Sequence, residues 1–423
     1  MRNPQGKRRI IIFLSWFLVF LCILGIFLII PFARAISIFV STHWGDSLFG
    51  YATLFITGGT LLVLLFVLFF RLKIRSFSNY FWLLAVAILY IYFTLKLWKV
   101  PVEAVHFLEY GLLGFFLFRA LRFHINNRCI YFIAFLSGSL VGIFDEILQW
   151  IVPLRLWDIR DVGLNALSSG LFQVGLWKGI QPRGIFLKIK AKSFKTLSLL
   201  LSINIVLLGL CLSNTPKRIS AYTKIFPALS SVQKEEPMNK FRKKHVDSDI
   251  GNFYSLLTID ELKSEDRENF LQNAQTIKEW KNRDYKEFIR HFHPLIYTFL
   301  CELRTHLDIR DKNFKEAQKA EDKNTKKKFF FRAYKENLIL EKYFGQTLQK
   351  SSSNWEKGQS KHVESYINKS AWYSSHLRFG FFLSFSEKTM WTAIISFLII
   401  LALFNFFLLR SQKFQKNLPL KEK

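Results

Sequence analysis

Within residues 103–161 stand six acidic side chains, Glu103, Glu109, Asp145, Glu146, Asp158 and Asp161, with His106 and Tyr110 set among the first of them. The crowding is unusual for this chain, because only eight of its 31 acidic residues fall outside 214–389 and six of those eight are here. Carboxylates packed together cannot all stay ionised without partners, so one of them can act as a general acid near neutral pH. Glu146 is the expected acid and His106 the base or a ligand, with Asp145 and Asp161 completing the catalytic set. Arg155 and Arg160, with Lys96 and Lys99, supply cations suited to a phosphate or pyrophosphate. Tyr110, Glu109, Gln149, Arg155, Asp158 and Asn165 are the expected substrate contacts.

The elements that must hold these groups are membrane helices. Half the residues are apolar (51%) and they gather in long runs, so the net charge of +28 bears on topology and membrane surface before nucleic acid, and no nucleic-acid partner is expected. Candidate spans are Ile10 to Ile30, Tyr51 to Phe70, Phe81 to Trp98, Val102 to Ala120, Cys129 to Ile151, Asp161 to Trp177, Thr196 to Leu212 and Met390 to Leu409. Each is near the ~20 residues that cross the hydrocarbon core. The sixth, "DVGLNALSSGLFQVGLW", is the least apolar; its small and polar residues suit the middle of a bundle. "PFARA" after the first span offers an Ala-x-Ala cleavage-like site, but the apolar run before it is longer than a signal-peptide core.

Lys and Arg set the orientation. "MRNPQGKRR", "RLKIRS", "RALRFHINNR", "WKGIQPRGIFLKIKAKSFK" and "RSQKFQKNLPLKEK" all fall on one side of an eight-span layout, so both termini are expected in the cytoplasm. The acidic ends of the fourth, fifth and sixth spans then share one level, facing outward. Glu103, His106 and Tyr110 follow one helical face at i, i+3 and i+7, with Glu109 beside it and Gly114 continuing it. Gly138 and Gly142 lead to Asp145, Glu146 and Gln149, and allow a neighbour close beneath the carboxylates. Asp158, Asp161 and Asn165 repeat the i, i+3, i+7 spacing, and Ser168, Ser169 and Gln173 carry polarity deeper.

Each group also has a structural reading. Asp158 can N-cap the sixth span with Asp161 at N3, and Glu103 can complement a helix dipole. Asp145 and Glu146 can pair with Arg155 to lock the bundle, and His106 with Tyr110 can be an interfacial pair. His106 with Glu103, Glu109, Asp145 and Asp158 would suit Mn, Mg or Ca better than zinc; the reading assigns no cofactor and leaves a divalent metal open.

These residues resemble the VanZ-like membrane proteins, a family named for a teicoplanin-resistance protein. The resemblance covers roughly residues 50–180 and rests on "HFLEYGLL", on "DEILQWIVPLR" and on "RLWDIRDVGLN". The family positions carried over are His106, Tyr110, Asp145, Glu146, Gln149, Arg155, Asp158, Asp161 and Asn165. Leu154 stands where a Gly often precedes the Arg, and Ser168 where a Gly often follows the Asn. The resemblance implies a cell-envelope and antibiotic-resistance context rather than a particular reaction.

Three readings follow from different classes. The first is a hydrolase or transferase acting on a phosphorylated glycolipid at the outer face of a bacterial cytoplasmic (inner) membrane. The second is a non-catalytic protein that binds an envelope lipid or an antibiotic, or serves as a scaffold. A proton-coupled transporter is the third, and is disfavoured because the polar groups sit at one end and no inverted repeat is visible. A membrane lipid or lipid-linked envelope precursor is the expected partner in the first two.

Residues 214–389 read as a mainly helical extracytoplasmic domain whose partner the sequence does not indicate. "TIDELKSEDRENFLQNAQTIKEW" opens with the capping box Thr258–Glu261, and "DYKEFIRHFHPLIYTFLCELRTHL" and "FKEAQKAEDKNTKKKFFFRAYKENLILEKYF" are amphipathic. Short strands are expected, if anywhere, around "SHLRFGFFLSF". The whole reads as an all-α polytopic membrane protein of about eight spans, with the helical domain inserted between the last two. Its parts are 1–50, a span and outer loop; 51–180, the VanZ-like bundle; 181–213, a basic loop and span; 214–389, the domain; and 390–423, the last span and basic tail.

Overall fold

The computed structural model describes residues 4–98, 100–152, 155, 157–227, 237–375 and 386–416. Two compact units divide the chain: Met1–Cys211 with Thr392–Lys423, and Leu212–Trp391.

The first unit is helical. Helices α1 (Pro4–Ile29), α2 (Ala33–Trp44) and α3 (Ser47–Phe66, continuing as a π turn to Arg71) are followed by α4 (Phe77–Lys96). A 3-10 turn, Pro101–Ala104, leads into α5 (Val105–Leu121); α6 (Cys129–Ile151), α7 (Ile159–Val174, with a π-helical extension Gly175–Ile180) and α8 (Ala191–Leu212) complete the run. The last helix, α17 (Glu387–Lys416), returns to this unit from Thr392. Seven of the described helices are long and apolar enough to cross a membrane: α1, α3, α4, α5, α6, α8 and α17. Large apolar side chains on their outer faces, such as Phe13, Phe55, Leu62 and Phe407, are exposed, as suits an apolar solvent.

Two sequence expectations change here. Helix α7, read as the sixth span, is formed but is not among the seven, because polar and small residues dilute its hydropathy. Residues 33–44, read as an outer loop, form α2; at 12 residues it is too short to span, and it ends at Gly45, whose φ of +82° favours glycine.

Helices α5, α6 and α7 form the centre, with α4 against α7. Tyr110, Leu113, Leu117 and Phe118 of α5 pack with Ile130, Ile133 and Ala134 of α6. Helix α7 approaches closely because its neighbours offer glycine: a Cβ on Gly142 would lie 2.8 Å from the Cβ of Asn165. Ser168 donates its hydroxyl to the Phe107 carbonyl at 2.9 Å, and its hydroxyl oxygen stands 3.2 Å from that of Tyr90. Tyr90 of α4 donates to the Ser168 carbonyl at 2.7 Å, and Asn79 to the Gly179 carbonyl at 2.5 Å.

The second unit opens with α9 (Pro216–Ile225), whose proline at the first turn lacks an N–H that would have no helical partner there. Strands β1 (Lys243–Asp247) and β2 (Gly251–Ser255) form an antiparallel hairpin in the register Lys243 to Ser255, and β3 (Tyr373–Ser374) pairs with β2 in parallel. A Cβ at Gly251, φ +113°, would run into the Tyr373 backbone. Helices α10 (Ile259–Glu268), α11 (Phe270–Glu279), α12 (Tyr285–His291), α13 (Thr298–Lys319), α14 (Lys323–Tyr343), α15 (Gly345–Lys350) and α16 (Lys357–Glu364) follow.

The expected capping box forms: Glu261 N–H donates to the Thr258 hydroxyl at 3.2 Å, and Thr258 N–H to the Glu261 carboxylate at 2.6 Å. The helix it starts breaks at Asn269, where amphipathic periodicity had run through. The described strands lie at 243–255 and 373–374; of the stretch expected to hold them, 376–385 lies outside the described residues.

Buried Phe253, Leu262, Phe288, Leu303, Ile339 and Phe344 form this unit's core. Polar groups tie the helix pair α13 and α14 to the sheet. Glu302 accepts from the Ser255 hydroxyl and the Leu256 N–H, both at 2.6 Å. Glu336 accepts from Tyr373 and Ser375 hydroxyls at 2.6 Å and meets His306 Nδ1 at 2.5 Å.

Candidate functional site

The site lies at one end of the first unit, where α5 begins, α6 ends and α7 begins. Pro101 starts the 3-10 turn that carries Glu103, and α5 then presents His106, Glu109 and Tyr110 in succession. The last turns of α6 bring Asp145, Glu146 and Gln149, all buried. Asp158 is the N-cap of α7: its carboxylate accepts from the Arg160 N–H at 2.8 Å, so the capping reading of this residue is realised.

Hydrogen bonds sort the acids by role. Tyr110 donates its hydroxyl to Asp145 Oδ2 at 2.9 Å. Glu146 Oε1 accepts from Gln149 Nε2 at 3.0 Å, and Oε2 from the Asp158 N–H at 3.4 Å. The Gln149 carbonyl in turn accepts from the Arg155 guanidinium. Asp158 Oδ2 pairs with Arg160, at 2.8 Å from Nε and 2.5 Å from Nη2. His106 Nδ1 stands 3.6 Å from Glu109 Oε2, an ion-pair distance but too long for a hydrogen bond.

A cavity of about 460 Å³ opens over this cluster. Glu103, His106, Glu109, Asp145, Gln149, Arg155, Asp158, Arg160 and Asp161 line its polar side. Ile26 and Ile29 of α1, with Ile30, Phe49 and Val105, add apolar lining. Helix α2 adds Ala33, Arg34 and Ser37.

Of the ten expected site residues, seven line the cavity and three stand behind them: Tyr110, Glu146 and Asn165 are fully buried, with no exposed surface. Lys96 is exposed on α4 and does not line the cavity, and Lys99 lies outside the described residues. Arg34 is the cavity residue that sequence reasoning missed. Its neighbours "PFARA" were weighed as a cleavage-like motif, and the usable signal was a cation one residue into a short helix just after an apolar span.

The metal-type donors that converge also differ from those expected. Among the described residues, one donor atom each from His106, Glu146 and Asp161 lies within 4.8 Å of the others. Chemically the cavity joins a cationic side able to hold a phosphate, a carboxylate and imidazole side able to exchange protons, and an apolar wall able to hold a chain.

No family model matches this chain, and no curated protein or solved structure is similar to it.

Proposed function

We propose that this chain is a VanZ-like protein of a bacterial cytoplasmic membrane that acts at the outer face on a phosphorylated glycolipid or lipid-linked envelope precursor, as a hydrolase or transferase. The observation that carries the reading is that one cavity is lined by Arg34, Arg155 and Arg160, by His106, Asp145 and Asp161, and by Ile26, Ile29 and Ile30. An amphiphile with an anionic headgroup matches that division: guanidinium groups for its phosphates, and isoleucines for its chain. With α7 counted as an eighth span, the distribution of Lys and Arg supports cytoplasmic termini and an outward-facing cavity.

In this reading His106 serves as base or ligand, and Glu146, behind the residues that screen it from the cavity, as the acid of the ion-free site. Asp145 is held by Tyr110 so that its charge faces His106. Glu109, Gln149, Asp158 and Asn165 orient the ligand.

A second reading is favoured by the burial of Glu146 and Tyr110 behind the cavity wall. It is a binder without turnover, in which those residues only stiffen the wall.

One experiment separates the two. Lipids that co-purify with wild type and with Glu146→Gln are identified by mass spectrometry before and after incubation at neutral pH. A phosphorylated glycolipid consumed by wild type and retained by the variant supports the enzyme. The same lipid retained by both supports the binder, and no such lipid on either sinks the envelope reading.

A further inference from the structure

The acids of this site are unequally provided for. Asp158 is neutralised by Arg160, and Asp145 takes a hydroxyl from Tyr110. Asp161 Oδ1 and His106 Nδ1, by contrast, are buried and have no hydrogen-bond partner among the described residues. Such atoms cost free energy unless something else satisfies them.

The same is true one turn deeper. Asn165 follows Asp161 on the same face of α7 and is set against Gly142, which precedes Glu146 by one turn of α6. Asn165 has no exposed surface, and neither its amide nitrogen nor its oxygen has a partner among the described residues. The floor under Glu146 and Asp161 is therefore polar and unsatisfied.

The geometry points to a divalent-cation site of the Mn²⁺ type, formed by an imidazole nitrogen of His106 and one carboxylate oxygen each of Glu146 and Asp161. Each of three packed helices contributes one donor, and the three donor atoms lie within 4.8 Å of one another. Ligand atoms on a shared ion at roughly 2.0–2.2 Å stand about 3–3.5 Å apart, so rotation of the two carboxylate side chains closes the set. The hydrogen bonds to Glu146 from Gln149 and the Asp158 N–H leave carboxylate lone pairs for the ion and fix the carboxylate's orientation.

One nitrogen and two oxygens suit Mn²⁺ better than Ca²⁺ or Mg²⁺, which prefer all-oxygen shells, and better than a thiolate-seeking ion. Three protein ligands leave coordination positions open, and His106 and Asp161 face the cavity. An oxygen of the ligand's phosphate fits there; this last step rests on the function proposed above, whereas the cation site rests on the donors alone.

Full-length protein in detergent, stripped with a chelator, is titrated with Mn²⁺ and followed by calorimetry and pulsed EPR. Mn²⁺ is the probe because free Cys22, Cys129, Cys211 and Cys301 compete for softer ions. The expected result is one equivalent bound per chain, with an imidazole-nitrogen modulation in the EPR that His106→Gln abolishes. Glu146→Gln and Asp161→Asn, near-isosteric changes checked for an unchanged melting curve, weaken binding by at least about tenfold. Asp46→Asn, an N-cap of α3 outside the cavity, leaves it unchanged.

Absence of stoichiometric binding, or binding that survives His106→Gln and Asp161→Asn together, overturns the site. Mn²⁺ bound without any lipid on the protein keeps the site and removes the lipid reading. Lipid turnover by chelator-stripped protein that also fails to take up Mn²⁺ keeps the lipid reading and overturns the site.

Discussion

Tyr110 on α5 and Asp145 on α6 are joined by a 2.9 Å hydrogen bond in which both side chains are buried, so the carboxylate at the heart of the cluster depends on a donor from another helix. The bond connects packing to chemistry. It holds α5 against α6 and sets the position of Asp145 on the cavity wall.

Tyr110→Phe leaves that carboxylate without its hydroxyl donor and should destabilise the first unit by about 1–3 kcal/mol. Adding Asp145→Leu should cost less than the sum of the single changes, because no polar group is then left unpaired. Thermal unfolding of the four proteins in detergent checks this; additive losses would show that the two residues do not act on each other.

Gly142→Val forces a side chain into Asn165, whose Cβ lies 2.8 Å from where the new Cβ would be. A loss of about 1–3 kcal/mol is expected, with α7 pushed from α6. Gly163→Ala is the contrast. Nothing lies within 4 Å of that position and it is exposed, so the change should be neutral or stabilising by up to about 1 kcal/mol. Equal effects at the two glycines would contradict the close α6–α7 seam.

Asp158 is an N-cap that also lines the cavity, and two substitutions separate the roles. Asp158→Ala should cost about 1 kcal/mol through the lost cap, and Asp158→Asn very little. If Asp158 also orients a ligand through its charge, Asp158→Asn loses lipid retention while keeping its melting curve. Retention unchanged in that variant would leave Asp158 with capping alone.

In the second unit, Glu302 and Glu336 predict opposite responses to pH. Burial holds the Glu302 carboxyl up to about 7, against an ordinary 4.5, despite donors from Ser255 and Leu256. A raised acid contributes fully below its unfolded value, and that contribution fades between about 4.5 and 7, by on the order of 3 kcal/mol. Glu302→Gln should therefore gain stability over wild type at pH 8 and lose that advantage near pH 4.5.

Burial also pushes Glu336 upward, but the charge and hydrogen bond of His306 and the hydroxyls of Ser375 and Tyr373 outweigh it and hold the group below its ordinary value. Its contribution is present above the ordinary carboxylate range and is lost as pH falls through the depressed value. Glu336→Gln should thus destabilise most at neutral pH, and unfolding curves between pH 4 and 8 read both variants. Parallel curves for the two would contradict the assignment.

Local properties of the chain decided a good deal by themselves. Of the eight spans that hydropathy over about 20 residues marks, seven form helices long and apolar enough to cross a membrane, since that property depends on the run alone. Helical spacing puts His106 and Tyr110 one turn apart on α5, and Gly138 and Gly142 beneath Asp145 and Glu146, because a helix repeats every 3.6 residues wherever it sits; Glu103 falls on the 3-10 turn ahead of α5, outside that repeat. The Thr258–Glu261 capping box is equally local, and it forms.

Tertiary structure decided what depended on partners distant in sequence. Helix α2 was invisible because 12 residues neither span nor show a clear stripe, yet it brings Arg34 to a cavity more than 100 residues away from Asp145. The β1–β2 hairpin has a charged edge, and Gly251 and Tyr373 meet only through the fold. Which carboxylates pair across helices and which stay unsatisfied was also beyond periodicity: the Asp158–Arg160 pair is local, two residues apart at a helix cap, but only the packing of α5 against α6 gives Asp145 to Tyr110. The physical reason is range: hydropathy and helical repeat act over one or two turns, whereas a site is made where separate helices pack.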